Sequence, residues 1–348
     1  MTDRLTIALV QANPKVGDLA GNMAQARAWR SKAEEGGADL VVFTELFAVG
    51  YPPEDLVLKP ALQADARAAV EALARETKTG PAVLIGTPWV EGGRLYNAMA
   101  LLDGGEVKAV RYKVDLPNYG VFDEKRVFAA GEMPGPVTLR GVRIGVPICE
   151  DVWTPDVVEC LAETGAEIIV VPNGSPFERT KFDRRMDLAV ARVVESGLPF
   201  VYVNQVCGQD ELVFDGGSFV LNADRTLALQ MPTFVEGMEL SHWTRGPSGW
   251  VCAPGAKAVN EEGLAAVYQA MMLGLRDYVN KNRFPGVVLG LSGGIDSALS
   301  AAVVVVLVVL TAAQLVLGEL VPKTLALQYP TGTALATGLI RPPGRASS

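Results

Sequence analysis

Three residues with complementary chemistry each stand at the end of an apolar run. They are Glu45 in Leu40-Val-Val-Phe-Thr-Glu45, Lys113 in Val110-Arg-Tyr-Lys113, and Cys149, which follows the run from Val142 to Ile148. Short apolar runs are typical of buried strands, and strands deliver side chains to a site at their ends. The chain has one histidine, His242, so a Cys–His or Ser–His–Asp arrangement is not expected. A glutamate must therefore carry the protons if the thiol is catalytic.

A base, a cation and a thiol in one place could attack the carbon of an amide. Glu45 can take the thiol proton and later give a proton to the leaving amine. Lys113 can place positive charge beside the tetrahedral oxyanion, and Cys149 can form a thioester that water then cleaves. The alternative is structural: Glu45 and Lys113 form an ion pair, and Cys149 is a buried, inert residue.

The elements that must position these residues alternate between strand and helix. Apolar runs predict strands near 5–11, 40–43, 82–86, 142–148, 167–171 and 199–205, and hairpins over 97–112 and 216–230. Helical spacing predicts helices at 22–35, 61–78, 156–164 and 181–195. This order predicts an α/β protein with mixed sheet covered by helices, in which two layers of sheet could lie between two layers of helix.

Composition limits the classes of function. The chain has 348 residues, 49% of them hydrophobic, and a formal net charge of −8. Interspersed acidic and basic residues argue against a nucleic-acid or anionic-lipid surface. The four cysteines lack CxxC spacing, and we find no secretory signal, so we expect a reducing, cytoplasmic setting.

One segment is long and apolar enough to raise the question of a membrane span. Ala301 to Gly318 contains no charged residue. About 20 apolar residues are needed to cross a bilayer, so the segment is borderline. A buried helix or strand pair is the favoured interpretation.

Four longer motifs surround the three reactive residues and carry a resemblance. They are Gly50-Tyr-Pro-Pro-Glu-Asp-Leu56, the stretch Lys113-Val-Asp-Leu-Pro-Asn-Tyr-Gly-Val-Phe-Asp-Glu-Lys-Arg126, Ile148-Cys-Glu-Asp-Val-Trp153, and Asn173-Gly-Ser-Pro-Phe-Glu-Arg-Thr-Lys181. The triad resembles that of the nitrilase (carbon–nitrogen hydrolase) superfamily, and the flanks resemble the glutaminase domain of the glutamine-dependent NAD+ synthetase family. The resemblance covers residue 3 to about residue 302. It implies a four-layer α-β-β-α sandwich and a homo-oligomer.

The resemblance also implies a glutamine pocket. Binding of the substrate's α-amino and carboxylate groups is implied for Tyr51, Glu150 and Ser175, and the same pocket would be lined by Tyr119 and Trp153. Lys181 stands where the family has a basic residue facing the α-carboxylate; alternatively, it is a solvated lysine at a helix start. Glu124 is a possible second acid near Cys149, or a surface salt-bridge residue.

A second motif, Ser292-Gly-Gly-Ile-Asp-Ser297, lies between a predicted strand at 287–291 and a predicted helix. Small residues let backbone N–H groups close around a phosphate, and a helix N-terminus adds a favourable field. The motif resembles the pyrophosphatase-type loop of adenylating amidotransferases. That resemblance implies that Ser292, Gly293, Gly294 and Ser297 cradle the pyrophosphate of ATP and that Asp296 lies nearby, with Mg2+. A glycine-hinged turn before an ordinary helix is the alternative.

These signals divide the chain into three parts. We predict a nitrilase-like amidohydrolase domain at 1–245, a linker at 246–260, and an incomplete doubly wound synthetase segment at 261–348 whose character changes at about 303. The end of the chain reads as a truncation, a frameshift or an artificial terminus, and we do not expect this chain alone to make NAD+. In the reaction that the resemblance implies, glutamine supplies ammonia to deamido-NAD+ activated by ATP.

Two other functions remain open. One is a free-standing glutaminase or amidase, which would release ammonia without ATP or deamido-NAD+. The other is a mis-terminated, poorly folded or membrane-associated fragment without enzymatic activity.

Overall fold

The computed structural model describes residues 3–290 and 292–314, with side chains as far as residue 305. The strands are β1 (Arg4–Gln11), β2 (Leu40–Val42), β3 (Ala82–Glu91), β4 (Arg94–Asp103), β5 (Glu106–Tyr112), β6 (Val137–Leu139), β7 (Val142–Gly145), β8 (Ile168–Asn173), β9 (Phe200–Asn204), β10 (Val206–Gln209), β11 (Leu212–Asp215), β12 (Phe219–Leu221), β13 (Leu227–Gln230), β14 (Gly237–Gly246) and β15 (Gly249–Cys252). The helices are α1 (Leu19–Glu35), α2 (Pro60–Glu76), α3 (Glu124–Val127), α4 (Asp156–Glu163), α5 (Lys181–Ser196), α6 (Gly263–Lys281) and α7 (Ile295–Gln314).

Two mixed sheets form the centre of the first compact unit. One has the strand order β15-β14-β1-β2-β3-β4-β5, and the other has the order β13-β12-β9-β8-β7-β6. Strands β1, β2 and β3 are parallel neighbours, as are β7, β8 and β9. The β10–β11 hairpin forms a separate small sheet.

Alternating side chains explain why the strands read as continuous apolar runs. In β8, Ile168 and Val170 belong to a core shared by both sheets, whereas Ile169 and Val171 pack with residues of α4 and α5. The seven-stranded sheet is covered in the same way by α1 and α2. Because successive side chains of a strand point to opposite faces, a strand buried on both faces needs apolar residues throughout. The layers are therefore α-β-β-α, which confirms the predicted fold class.

The predicted hairpins and helices of the first unit are present, with shifts of a few residues at their ends. One prediction is wrong: residues 287–290 carry no strand. Part of the predicted linker 246–260 also pairs with a sheet, because Gly249–Cys252 forms the edge strand β15. The predicted domain boundaries themselves remain predictions.

A second compact unit begins at Asn282, whereas the first ends at Lys281. Its described helix, α7, contains residues 301–314 of the apolar segment, and residues 315–318 lie outside the described residues. Among the helices described, none has the length and apolar character of a bilayer span. The end of the chain, predicted to be aberrant, also lies mostly outside the described residues.

Candidate active site

The three reactive residues follow strands of both sheets. Glu45 lies three residues after β2, and Lys113 directly follows β5. Cys149 follows β7 of the other sheet and opens a short 3₁₀ turn, Cys149–Val152. The two facing sheets thus present a carboxylate and an amine from one side and a thiol from the other.

Lys113 is the centre of a buried charge network. Its Nζ donates to Glu45 Oε1 at 2.7 Å and to Glu124 Oε1 at 2.9 Å. The Lys113 and Glu45 side chains are fully buried. Tyr51 donates its hydroxyl to Glu124 Oε1 at 2.8 Å, and Asn97 Nδ2 donates to Glu45 Oε1 at 2.7 Å. Glu124 is buried, so the surface salt bridge considered for it is wrong.

Electrostatics keep Lys113 charged. Burial alone would lower the pKa of Lys113, but the Glu124 and Glu45 carboxylates outweigh it and hold that pKa well above the usual value of lysine. Burial raises the pKa of Glu124, against the opposing effect of Lys113 and with a contribution from Glu45. Lys113 therefore faces two carboxylates and keeps its positive charge in the buried site.

Cys149 occupies a sharp turn beside this network. Its φ of 48° lies in the left-handed region, which is uncommon for a residue with a side chain. The residue is 5% exposed. Burial and the Glu45 carboxylate raise the pKa of the Cys149 thiol, whereas Lys113 and the Gly174 amide act in the opposite direction. The resting thiol is therefore protonated at neutral pH, and a base must accept its proton for attack.

The Gly174 amide acts on both the base and the thiol. It donates to Glu45 Oε2 at 2.9 Å, and it also lowers the pKa of the Cys149 thiol. A Cβ at Gly174 would meet the Tyr51 ring at 2.6 Å, so a side chain there would displace Tyr51. Gly86 of β3 is also too crowded for a side chain, because a Cβ there would lie 2.2 Å from the Leu46 amide nitrogen.

Asp151 ties the lysine segment to the thiol turn. Its Oδ1 accepts the amides of Val114 and Asp115 at 2.9 and 2.8 Å, and its Oδ2 accepts the amide of Ile148 at 2.8 Å. Val114 follows Lys113 and Ile148 precedes Cys149. This buried carboxylate therefore sets the distance between the two sheets at the site.

A charged residue and an aromatic residue lie next to the thiol turn. Tyr119 donates its hydroxyl to Glu150 Oε1 at 2.9 Å. Burial raises the pKa of Glu150, and the bond from Tyr119 opposes that rise. A cavity of about 680 Å³ is lined by both residues. This cavity therefore lies beside Glu150, the residue that follows Cys149.

Lys181 is not the solvated lysine that was the alternative for it, because it is 5% exposed. Its Nζ lies 2.8 Å from Glu178 Oε1 and 5.9 Å from the Trp153 ring centroid. The positive charge of Lys181 lowers the pKa of Glu150, against the larger effect of burial. One acidic and one basic side chain therefore flank the thiol turn.

Ser175 is held by Arg185, which the sequence analysis did not identify. Arg185 Nε donates to Ser175 Oγ at 3.0 Å, and Nη2 donates to the Ser175 carbonyl at 2.8 Å. Its Nη1 contacts both oxygens of Asp215, at 2.9 and 3.0 Å. Only the Asn173–Lys181 motif suggested this region, because nothing local marks a pair that is 30 residues apart.

Removal of the Arg185 charge should destabilise the protein. In Arg185→Met, Asp215 stays buried without its cation, and breaking such a pair costs roughly 3–5 kcal/mol. Urea unfolding should show a lower midpoint at an unchanged slope. Arg184→Met is the matched control: its side chain is 56% exposed, and surface changes of this kind stay within about 0.5 kcal/mol. Equal midpoints for the two variants would contradict the assigned role of Arg185.

The second predicted site forms a turn at the start of α7. Ser297 Oγ donates to the Gly294 carbonyl at 2.9 Å and lies 3.2 Å from Ser292 Oγ. Gly293 has a φ of 81°, which requires glycine or a strained residue. The motif residues from Ser292 to Asp296 are exposed. Among the residues that the structure describes, no group of three His, Cys, Asp or Glu side chains is placed to hold a metal ion.

A four-layer sandwich with a carboxylate, an amine and a thiol at its strand ends defines the class as a nitrilase-like α/β protein. The chain belongs to the carbon–nitrogen hydrolase family, whose model matches residues 6–242. A second model, NAD synthase, matches residues 267–340. The first match covers most of the chain and confirms the family resemblance.

Two of the proteins similar to this chain are longer than it. It is 48% identical over 303 residues to a glutamine-dependent NAD(+) synthetase of Rhodobacter capsulatus, which covers 87% of this chain and 55% of that protein. A solved glutamine-dependent NAD+ synthetase from Acinetobacter baumannii, in complex with ADP, is 38% identical with a TM-score of 0.82 and covers 87% of this chain and 57% of that one. The chain therefore spans about half the length of these relatives.

A shorter solved protein is also similar to part of this chain. An amidase from Nesterenkonia sp. AN1, solved after Michael addition of acrylamide at its active-site cysteine, is 29% identical with a TM-score of 0.61. The match covers 70% of this chain and 94% of that chain.

Proposed function

We propose that this chain hydrolyses glutamine at Cys149 and is the amidohydrolase part of a glutamine-dependent NAD+ synthetase. One observation carries the proposal: the buried Lys113 ammonium bridges Glu45 and Glu124, and the charges of Glu45 and Lys113 both act on the pKa of the Cys149 thiol. A purely structural ion pair would not require a thiol beside it. The 48% identity to a synthetase of this kind supports the choice of glutamine.

The first half-reaction forms a thioester and releases ammonia. Glu45 takes the thiol proton, and the sulfur bonds to the side-chain amide carbon of glutamine. Lys113 stabilises the oxyanion. The C–N bond then breaks as Glu45 returns the proton to the nitrogen, which leaves as ammonia.

The second half-reaction consumes one water. Glu45 accepts a proton from the water as its oxygen attacks the thioester carbon. The C–S bond breaks, the thiolate takes that proton, and glutamate leaves. The fixed charge of Lys113 serves both tetrahedral intermediates, since burial excludes the water that would screen it.

The α-amino and α-carboxylate groups of glutamine are complementary to the charged residues next to the thiol turn. Glu150 has a carboxylate for the α-amino group, and Lys181 has an ammonium for the α-carboxylate. Tyr119 and Trp153 contribute aromatic surface. Tyr51 and Ser175 were also expected to bind substrate. Their hydroxyls contact Glu124 and Arg185, and we propose that these contacts hold the two residues in place for substrate binding.

Lys181→Met should weaken glutamine binding more than it slows chemistry. A hydrogen bond to a charged group contributes about 1.5–3 kcal/mol, so KM should rise about tenfold to a hundredfold. We expect kcat to change little, because the α-carboxylate contact is the same in ground and transition states. Steady-state ammonia release measures both constants.

Arg184→Met is the control for this prediction, because Arg184 also lies near Glu178 but is exposed. It should leave KM within about twofold. A lower kcat at unchanged KM in Lys181→Met would contradict the binding role.

The second unit is proposed to contribute to an ATP site. The serine hydroxyls and glycine amides from Ser292 to Ser297 stand at the start of α7, where a phosphate is favoured. Asp296 could supply one carboxylate to a Mg2+ ion held mainly by the nucleotide's own phosphates. ATP would activate deamido-NAD+ for attack by ammonia.

We propose a reducing, cytoplasmic setting for the protein. The four free cysteine thiols are compatible with this proposal. Glutamine, ATP and deamido-NAD+ are the proposed partners. A homo-oligomer is proposed from the family alone.

A free-standing amidase is the second candidate. It is favoured by the match that covers 94% of an amidase chain. A simple aliphatic amide carries no α-amino or α-carboxylate group and would not need Glu150 and Lys181. The candidates therefore differ in substrate preference.

One experiment tests the proposal and separates the candidates. The chain is incubated with a glutamine-mimicking electrophile, the adduct is located by mass spectrometry, and ammonia release is measured with glutamine and with propionamide. We expect an adduct on Cys149 and a clear preference for glutamine. Preference for propionamide would favour the amidase. A folded sample that neither labels at Cys149 nor hydrolyses either amide would overturn both.

A further inference from the structure

Asn97 is a buried polar residue directly opposite Lys113. It lies in β4 and is fully buried. Its backbone carbonyl accepts the Lys113 amide at 2.8 Å. Directly opposed residues of an antiparallel pair place their side chains on the same face, so the Asn97 amide faces the same network as the Lys113 ammonium.

The Asn97 side chain contacts both carboxylates of that network. Nδ2 donates to Glu45 Oε1 at 2.7 Å and lies 3.4 Å from Glu124 Oε2. A primary amide carries two N–H bonds, one for each acceptor. Lys113 also contacts both carboxylates, through the other Glu124 oxygen. The two glutamates are thus bridged twice, once by a cation and once by a neutral donor.

The two oxygens of Glu45 have different surroundings. Oε1 accepts both Lys113 and Asn97, whereas Oε2 accepts the Gly174 amide, which also lowers the pKa of the Cys149 thiol. We propose that Asn97 is a positioning residue, which holds Glu45 by Oε1 so that Oε2 faces the thiol and receives its proton. This inference rests on the proposed function, in which Glu45 is the base.

The choice of residue supports this role. An aspartate at the same place would add a third carboxylate beside Glu45 and Glu124, and a leucine would offer no donor. Asn97 Oδ1 is buried and has no hydrogen-bond partner among the described residues. A buried acceptor without a donor is unfavourable for stability. The contribution of Asn97 therefore comes from its N–H groups, which hold the Glu45 and Glu124 carboxylates.

The test compares Asn97→Leu with a control, Asn222→Leu. Asn222 makes structural hydrogen bonds to the Cys252 backbone and belongs to no part of the proposed site. For Asn97→Leu we expect kcat for glutamine to fall about tenfold to a hundredfold, with KM within about threefold. The acidic limb of the kcat profile should move to higher pH, because a carboxylate that loses a donor is protonated more easily.

A second measurement needs no substrate. Carbon NMR of glutamate-labelled protein follows the protonation of the network, with Glu45→Gln and Glu124→Gln used to assign the signals. Tyr51, Lys113, Cys149 and Glu150 are the other titratable groups that act on this network. In Asn97→Leu the Glu124 carboxyl signal should titrate at higher pH than in the parent, whereas Asn222→Leu should leave it unchanged.

The outcomes separate this inference from the proposed function. If the carboxyl titration shifts in Asn97→Leu but the parent chain does not hydrolyse glutamine, the role of Asn97 is supported and glutamine is refuted as the substrate. An unshifted titration together with unchanged kcat overturns the role of Asn97, even in an active glutaminase. If Asn97→Leu does not fold, Asn97→Ser replaces it. A single hydroxyl cannot bridge both carboxylates, so its kcat must also fall and its titration must also shift.

Discussion

Cys149→Ala should lose glutamine hydrolysis by roughly 10,000-fold or more, because removal of a catalytic nucleophile removes the covalent route as a whole. The fold should survive. Alanine deletes one sulfur atom from a residue that is 5% exposed, and such a change shifts the free energy of unfolding by about 1 kcal/mol. Ammonia release measures the activity, and urea unfolding measures the stability.

The control for Cys149→Ala is another free cysteine. Cys160 lies on α4, is partly exposed, and has only a weak 3.9 Å contact to the Pro134 carbonyl. Cys160→Ala should keep the parent kcat and the same mass adduct with the glutamine-mimicking electrophile. Hydrolysis that persists at more than a trace in Cys149→Ala would show that another group attacks the amide.

Much of the fold could be predicted because its physical causes are local. A strand covered on both faces must be apolar at every position, and β2 and β8 show this in sequence as Leu40-Val-Val and Ile168-Ile-Val-Val. Glu45 and Cys149 could be selected for the same reason, because each follows an apolar run. Lys113 instead follows the partly exposed strand β5, and the buried charges of Glu45 and Lys113 are tolerated because they pair with each other.

Asn97 could not be identified because its position depends on a strand irregularity. The hairpin was predicted, and its turn pairs Asp103 with Glu106. A regular ladder from that turn would place Tyr96 opposite Lys113 and turn the Asn97 side chain to the other face. The register shifts between Leu101 and Leu102, and this one-residue bulge brings Asn97 into the site. The sequence has no clear signal for that bulge.

Arg185 and Asp215 were missed for a different reason. Arg185 lies within a helix rich in charged residues, and such charges are usually solvated. Only the tertiary structure shows that Arg185 is 1% exposed and meets Asp215 at the end of β11. The strand predicted near 287–290 was wrong for the opposite reason, because there the local pattern suggested an element that does not form. The residues are apolar, as in a strand, but a strand also needs a neighbouring strand to pair with, and a local pattern does not show whether one is present.

Glu45→Gln should separate the two effects that Glu45 has on the thiol. As the base, Glu45 is required for turnover, and loss of general acid–base catalysis should lower kcat roughly a thousandfold. As a negative charge, it raises the pKa of the Cys149 thiol, second only to burial, whereas Lys113 lowers it. Removal of that charge leaves Lys113 to act, so the pKa of the thiol should fall.

The pH dependence of alkylation by iodoacetamide measures the thiol directly. In Glu45→Gln the alkylation rate should rise at lower pH than in the parent, although glutamine turnover has collapsed. Asp277→Asn is the control for loss of a buried carboxylate, since Asp277 is 4% exposed and contacts Asn13 and Gly208 instead of the proposed site. It should leave both the alkylation profile and kcat unchanged. If Glu45→Gln instead moved the alkylation profile to higher pH, the carboxylate would be stabilising the thiolate indirectly through Lys113, and its assignment as the proton acceptor would be wrong.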